Sequence, residues 1–210
     1  MQRAILSTAK QMLKAYRLSK SNPVLHATSG KPKSQASKFS TSQTKTKKAS
    51  LPLFQYPPGA DVPIPPAITS RELQRLLRQS IGHQEVQTKY GTLSLKRLEQ
   101  IGDVKYNAAI VRHLVKMQPQ IAWPEMMYLR NVLCSNAQLN AFAKGMRTLD
   151  RVKAPSVTGV KRVADIQEAE FGAVVLERGR YTTEKFIQTL IDPAIPFHRE
   201  VFRAHERIRT

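Results

Sequence analysis

The first acidic residue in this chain is Asp61. Residues 1–60 hold 11 Lys and Arg and no Asp or Glu, so they carry +11. Residues 61–210 hold 23 basic and 15 acidic side chains, and the chain of 210 carries +19. An acid-free start rich in Ser, Thr and Lys has the composition of an organellar targeting segment. On a helix, Ile5, Ala9, Met12 and Tyr16 share one side, while Arg3, Lys10, Lys14 and Arg17 gather on another. A basic amphipathic helix of this kind suits import receptors and anionic surfaces. Residues 1–45 are therefore expected to be a targeting presequence for the mitochondrial matrix, with Ser37-Lys38-Phe39-Ser40-Thr41-Ser42 similar to a presequence end. The competing reading is a basic arm that grips nucleic acid.

Residues 46–70 read as a proline-rich linker. Pro52, Pro57, Pro58, Pro63, Pro65 and Pro66 remove backbone donors and favour extended structure. Beyond it the pattern is helix after helix. Thr69 or Ser70 can cap a first helix carrying Leu73, Leu76, Leu77 and Ile81. Leu93 to Met117 is long and periodic, with Leu98, Ile101, Ala108 and Val111 at helical spacing. Further helices are expected from Trp123 through Leu133, from Gln138 to Leu149, from Val163 to Arg178, and from Thr182 or Thr183 through Leu190. Residues 150–162, with Pro155 and Gly159, read as a loop. No strand alternation or internal repeat stands out, so the expected class is all-α. No run approaches the roughly 18 apolar residues of a membrane span. Cys134 is the only cysteine, which excludes an internal disulfide framework and a cysteine-based zinc site.

In so basic a chain the few acid pairs are informative. Glu99 and Asp103 are four apart, and Asp165 and Glu168 are three apart, so each pair shares one helical face. Four carboxylates converging from two helices could hold Mg²⁺, which takes oxygen ligands and keeps several waters. Such an ion can activate a water and stabilise a leaving phosphate oxygen. The plainer reading is two solvated faces with ordinary surface acids, and spacing alone favours it.

The residues around the pairs carry more. Arg97-Leu98-Glu99-Gln100-Ile101-Gly102-Asp103 resembles the signature of the ribonuclease III family, usually Glu-Arg-Leu-Glu-Phe-Leu-Gly-Asp. Pro124-Glu125 through Leu129-Arg130, then Leu133-Cys134-Ser135-Asn136 and Leu139, is similar to the family's second stretch. Val163-Ala164-Asp165-Ile166-Gln167-Glu168-Ala169, with Gly172-Ala173 and Val174 to Gly179, resembles its third. Three blocks in order, over about residues 71–195, make a specific match. The resemblance implies an all-helical, dimer-forming domain at 71–195. It also implies a metal site in which Glu99, Asp103, Asp165 and Glu168 fall on the four acidic positions.

The departures point elsewhere. Lys96 stands where the family has a glutamate, one turn before Glu99 on the same face, and an ammonium there competes with a metal ion. Gln100 replaces the aromatic that packs into the partner subunit, and an unpaired buried amide costs about 1–3 kcal/mol. Lys105 lies on the stripe of Leu98 and Ile101. Gln100 is thus expected at an interface with a different neighbour. The family's bacterial enzymes carry a double-stranded RNA-binding domain next, whereas residues 196–210 are expected to be a short basic tail, with Arg199, Arg203, Arg207 and Arg209 meeting RNA phosphates. This short, basic form resembles the ribonuclease III-like proteins of the fungal mitochondrial large ribosomal subunit. The resemblance implies a structural role there. Its partners would be ribosomal RNA, a second ribonuclease III-like protein as heterodimer, and other ribosomal proteins. No cofactor is expected in that role. The alternative is an active mitochondrial ribonuclease III using Mg²⁺ to cut double-stranded RNA, with the same four acids as catalytic groups.

Overall fold

A computed structural model describes residues 52–57, 60–79, 84–117, 120–154 and 159–209, the last by its backbone alone. The expected presequence and its amphipathic helix lie outside the described residues. Helix α1 is Arg71–Leu77, opened by Ser70, whose hydroxyl accepts from the Leu73 amide and whose neighbours Leu73, Leu76 and Leu77 are buried. A hairpin follows, β1 Glu85–Thr88 and β2 Gly91–Ser94, antiparallel with Glu85 opposite Ser94 and Thr88 opposite Gly91. Then come α2 Leu95–Lys116, α3 Trp123–Leu133, α4 Asn136–Gly145, α5 Thr148–Val152, α6 Val160–Ile191 and α7 Ala194–Arg209. The class is all-α as expected, with one two-stranded sheet among the described residues. No described helix is long and apolar enough to cross a membrane.

The hairpin is the element that the sequence pattern hides. Each strand has four residues, too few for alternation to register, and Val86 is its one aliphatic residue before the turn. Its local chemistry is nonetheless specific. Gly91 adopts φ 95°, where a side chain is strained, and Thr88 Oγ1 accepts from the Tyr90 amide at 3.0 Å while donating to the Gly91 carbonyl at 2.8 Å. Leu93 therefore belongs to β2, and the long helix starts at Leu95, where the Ser94 hydroxyl accepts from the Arg97 amide. The 150–162 loop likewise differs. Thr148–Val152 closes as one helical turn between left-handed Arg147 and Lys153, and α6 begins at Val160.

The buried face of α2 runs through Leu95, Leu98, Gly102, Tyr106, Ala109, Ile110 and Leu114. The expected stripe of Ile101, Ala108 and Val111 borders this face and is more open to solvent. Glycine is why the stripe is displaced. A Cβ on Gly102 would sit 1.7 Å from the Glu168 carbonyl oxygen, and one on Gly172 would sit 2.1 Å from that of Leu98. So α2 and α6 cross backbone to backbone, and apolarity counts miss a contact made by having no side chain. One turn beyond, Tyr106 and Phe171 stack at 5.2 Å, and the Tyr106 hydroxyl donates to the Leu133 carbonyl at 3.0 Å. Gly179, at φ 79°, breaks α6 before its last stretch.

Two segments expected at the periphery complete the core. Residues 52–57 of the proline-rich stretch form neither helix nor strand, but Phe54 is 2% exposed. Its ring meets Phe197 of α7 edge-on at 5.8 Å. Gln138 of α4 binds both backbone polar groups of Phe54, accepting from its amide at 3.0 Å and donating to its carbonyl at 2.9 Å. Residues past 195 are part of the same body. Helix α7 buries Phe197, His198, Val201 and Ala204 while keeping Arg203 and Arg207 outward. A strongly amphipathic helix with an apolar stripe this regular gains by packing on the domain.

The glycine crossing yields a stability prediction. Gly102→Ala forces two backbones apart and should lose about 3 kcal/mol or more in urea unfolding. Gly145→Ala is the contrast, since its Cβ meets nothing closer than Tyr56 at 3.4 Å. That substitution should be neutral or gain up to about 1 kcal/mol by removing a helical glycine. Equal losses in the two variants would contradict the crossing.

Candidate metal and nucleic-acid site

Glu99 and Asp103 project from α2, and Asp165 and Glu168 from α6, on either side of the glycine crossing. The close approach lets short carboxylates on different helices meet. Glu99, Asp165 and Glu168 each bring a carboxylate oxygen within 4.8 Å of the other two. Asp103 is near but not part of this group. It is exposed, and Asn107 Nδ2 donates to its Oδ1 at 2.5 Å and to its carbonyl at 2.9 Å. Three of the four expected acids thus converge, and the fourth is held by its own helix.

The electrostatics follow from burial and crowding. Glu168 is 8% exposed. Burial first, then the charges of Asp103, Glu99 and Asp165, push its carboxyl up to about 8. Burial and Glu99 also raise Asp165, against the pull of Lys161, Lys96 and Arg162. Lys96 is the counterweight. Its Nζ donates to Glu99 Oε1, and that bond, with Asp165 and Glu168 adding, holds the ammonium above its ordinary range. The donor set is all oxygen, which suits a hard divalent cation. Glu99, Asp165 and Glu168 are the side chains able to hold one, and Lys96 competes with it for Glu99.

Other expected site residues are placed differently. Gln100 is exposed on α2. Arg199 is turned inward, donating to Glu125 Oε1 at 2.7 Å and to the Gln120 carbonyl at 3.0 Å, so its charge ties α7 to the start of α3. Arg203 bonds Glu200 at 3.2 Å. Arg207 is exposed and has no ion pair among the described residues, while the side chain of Arg209 lies outside them.

Sequence reasoning missed a second polar cluster. Arg151 of α5 forms two bonds with buried Glu170 of α6, at 2.7 and 3.0 Å, and Gln167 Nε2 donates to the same carboxylate at 3.1 Å. Burial still raises Glu170, opposed by Arg151. Its signal was present, since Gln167 and Glu170 flank the Glu168 motif, but no spacing rule links them to Arg151. Glu177 was also unassigned. It accepts from the Thr69 amide at 2.8 and 3.0 Å and from Ser70, fixing the entry of α1 on α6.

The raised Glu168 carboxyl sets a pH dependence. Between the ordinary glutamate range and about pH 8 the unfolded chain loses this proton while the folded chain keeps it, so metal-free stability falls as pH rises through that window. Glu168→Gln cannot ionise. Without divalent cations it should match the wild type at about pH 4 and exceed it above about pH 8 by a few kcal/mol, read from urea melts. A variant less stable than wild type at the higher pH would refute the crowded-carboxylate reading.

No family model matches the chain. The chain is similar to a protein named Ribonuclease 3 from Thiobacillus denitrificans, 29% identical over 127 residues, covering 57% of this chain and 54% of that protein. The chain spans about half the length of this relative. This distant relative supports the resemblance to the ribonuclease III family carried by the three sequence blocks around Gly102, Leu129 and Gly172.

Proposed function

We propose that this protein is a structural, RNA-binding component of the mitochondrial large ribosomal subunit, built on a ribonuclease III-like domain. The observation that carries the reading is the Lys96 ammonium bonded to Glu99 inside the carboxylate group. A fixed internal cation gives these acids a partner that no exchangeable ion has to supply. The charge of +19 suits packing against phosphate. The acid-free, amphipathic start suits import into the matrix.

A second ribonuclease III-like protein is the proposed partner. Along α2, Val104, Val111 and Val115 are exposed, Val104 at 62%, and they continue the line that Gln100 begins. Apolar side chains in a row on one helix favour burial against another protein. Gln100 beside them favours a partner offering hydrogen bonds over a second copy with an apolar socket.

One observation favours the alternative, a Mg²⁺-dependent endonuclease for double-stranded RNA: the meeting of Glu99, Asp165 and Glu168 within 4.8 Å. In that reading these three residues hold the ion, and the chemistry supplied there is water activation and stabilisation of a leaving oxygen. Lys96 would then orient Glu99 or a phosphate oxygen.

Native protein should co-sediment with large ribosomal subunits at moderate salt, and Glu168→Gln should co-sediment equally. The wild type should leave a long RNA duplex uncut in Mg²⁺. Duplex cleavage by wild type that Glu168→Gln abolishes would make these acids an active site and defeat the structural reading.

A further inference from the structure

Helix α1 carries a basic ridge that the rest of the fold leaves unused. At about 100° per residue, Arg71, Arg75 and Arg78 fall within roughly 60° of one another, directly opposite the buried Leu73, Leu76 and Leu77. All three arginines are exposed. Arg78 caps the helix with right-handed backbone, so the ridge runs unbroken for about 10 Å at 1.5 Å per residue. Elsewhere arginine ties the fold together: Arg112 pairs with Glu184, Arg151 with Glu170 and Arg199 with Glu125. Among the described residues the three ridge arginines have no ion pair, and their single side-chain hydrogen bond runs from Arg78 to Gln74 Oε1 at 3.4 Å.

The one acid on this helix does not quench the ridge. Glu72 accepts from the Ser70 hydroxyl at 2.7 Å, and that bond, with Lys89 and Arg71 adding, holds its carboxyl below the ordinary range. Lys89, at the hairpin turn, thereby adds a fourth positive charge beside the helix. The choice of residue is informative too. Arginine offers a flat fork of donors that grips a phosphate with two bonds and stacks on flat rings. A row of such forks, with no acids to hold them, suits a chain of phosphates.

A neighbouring cavity says which form of nucleic acid fits. Arg78 lines a cavity of about 280 Å³, walled by Pro65, Pro66, Leu77 and Val152 and with Gln74 at its side. Arg151 and Glu170 also line it, bonded to each other. The volume falls below the roughly 300–1,000 Å³ of sites for drug-sized molecules, so it takes a single ring system. Apolar walls edged by a guanidinium fit a nucleobase out of its stack, and a base held inside a duplex cannot reach them.

We propose that α1 and this cavity bind an unpaired stretch of RNA, with Arg71, Arg75 and Arg78 on the phosphates and one base in the cavity against Arg78. That the polyanion is RNA rests on the function proposed above, whereas the ridge and the cavity rest on the geometry.

The full chain is titrated against fluorescently labelled RNA and read by anisotropy. On single-stranded RNA, Arg71→Gln, Arg75→Gln and Arg78→Gln combined should lower the slope of log affinity against log salt by about 2, three contacts at about 0.7 each. Lys116→Gln, Lys144→Gln and Lys185→Gln combined remove the same charge from exposed positions on other helices and should change the slope by less than one contact. A duplex with one unpaired base should bind about tenfold tighter than the same duplex fully paired, the worth of one base stack. Ala67→Trp puts a bulky ring at an exposed residue lining the cavity. It should erase that preference and keep the wild-type salt slope. Equal slopes in the two triple variants overturn the ridge. No preference for the unpaired base, or a preference that survives Ala67→Trp, overturns the cavity. Polyglutamate that displaces RNA at matched charge concentration overturns the assignment to RNA. Wild type that binds RNA through the ridge yet runs free of ribosomal subunits defeats the proposed function and leaves the site standing. Wild type that co-sediments, with the arginine variant keeping the wild-type slope, overturns the site and leaves the function standing.

Discussion

Two glycines facing each other across a helix crossing set the geometry of everything else. Gly102 and Gly172 let α2 and α6 approach until each backbone meets the other's carbonyl, closer than any side chain permits. At this distance the aromatic pair Tyr106 and Phe171 can stack directly, and Leu98, Ala169 and Ala173 fill the space on the other side. The same approach brings Glu99 within reach of Asp165 and Glu168. At ordinary interhelical distances of 8–10 Å, residues of this length would face each other across solvent. One packing constraint thus produces both the tight centre of the fold and its candidate site.

Crowded acids at such a crossing cost stability, and the protein offsets the cost in two ways. Near solvent, Lys96 pairs with Glu99 on the same helix, three residues away. Deeper, Arg151 reaches from α5 to Glu170, and Gln167 completes the set. Removing one member of a buried pair is more damaging than the pair is stabilising, because the remaining charge is stranded. This explains why α5, a single turn between two left-handed residues, holds its place: its arginine is anchored to the longest helix. Glu168 has no such partner, and its raised carboxyl is the electrostatic residue of the crossing.

The far side of the domain is closed by pieces that look peripheral in sequence. Gln138 links three of them. It holds the backbone of Phe54 by both amide and carbonyl, and its Oε1 lies 3.1 Å from His198 Nε2 on α7. Because that oxygen can only accept, His198 donates through Nε2 and stays neutral, and burial pushes it down to about 4. The segment around Phe54, α4 and α7 are therefore joined by one side chain in a dry environment, where hydrogen bonds between polar groups are specific and costly to lose.

The sequence by itself determined the helical class, a first cap at Thr69 or Ser70, the end of a helix at Gly179 and the two acid pairs on their helices. These are local properties, readable because period, capping and glycine preference act within a few residues of chain. It also exposed the oddity of Lys96 beside Glu99, since three residues along a helix is one turn. Tertiary structure alone decided which acids meet: Asp103, in the same motif as Glu99, is held by Asn107 outside the group of three. It alone placed Phe54 and α7 in the core, drew Arg199 away from solvent to Glu125, and matched Arg151 to Glu170. Each of these depends on contacts across tens of residues, where spacing carries no information. The Gly102–Gly172 crossing marks the boundary between the two kinds of knowledge. Both glycines stand in plain view in their motifs, but only a second backbone lying against them shows what the missing side chains are for.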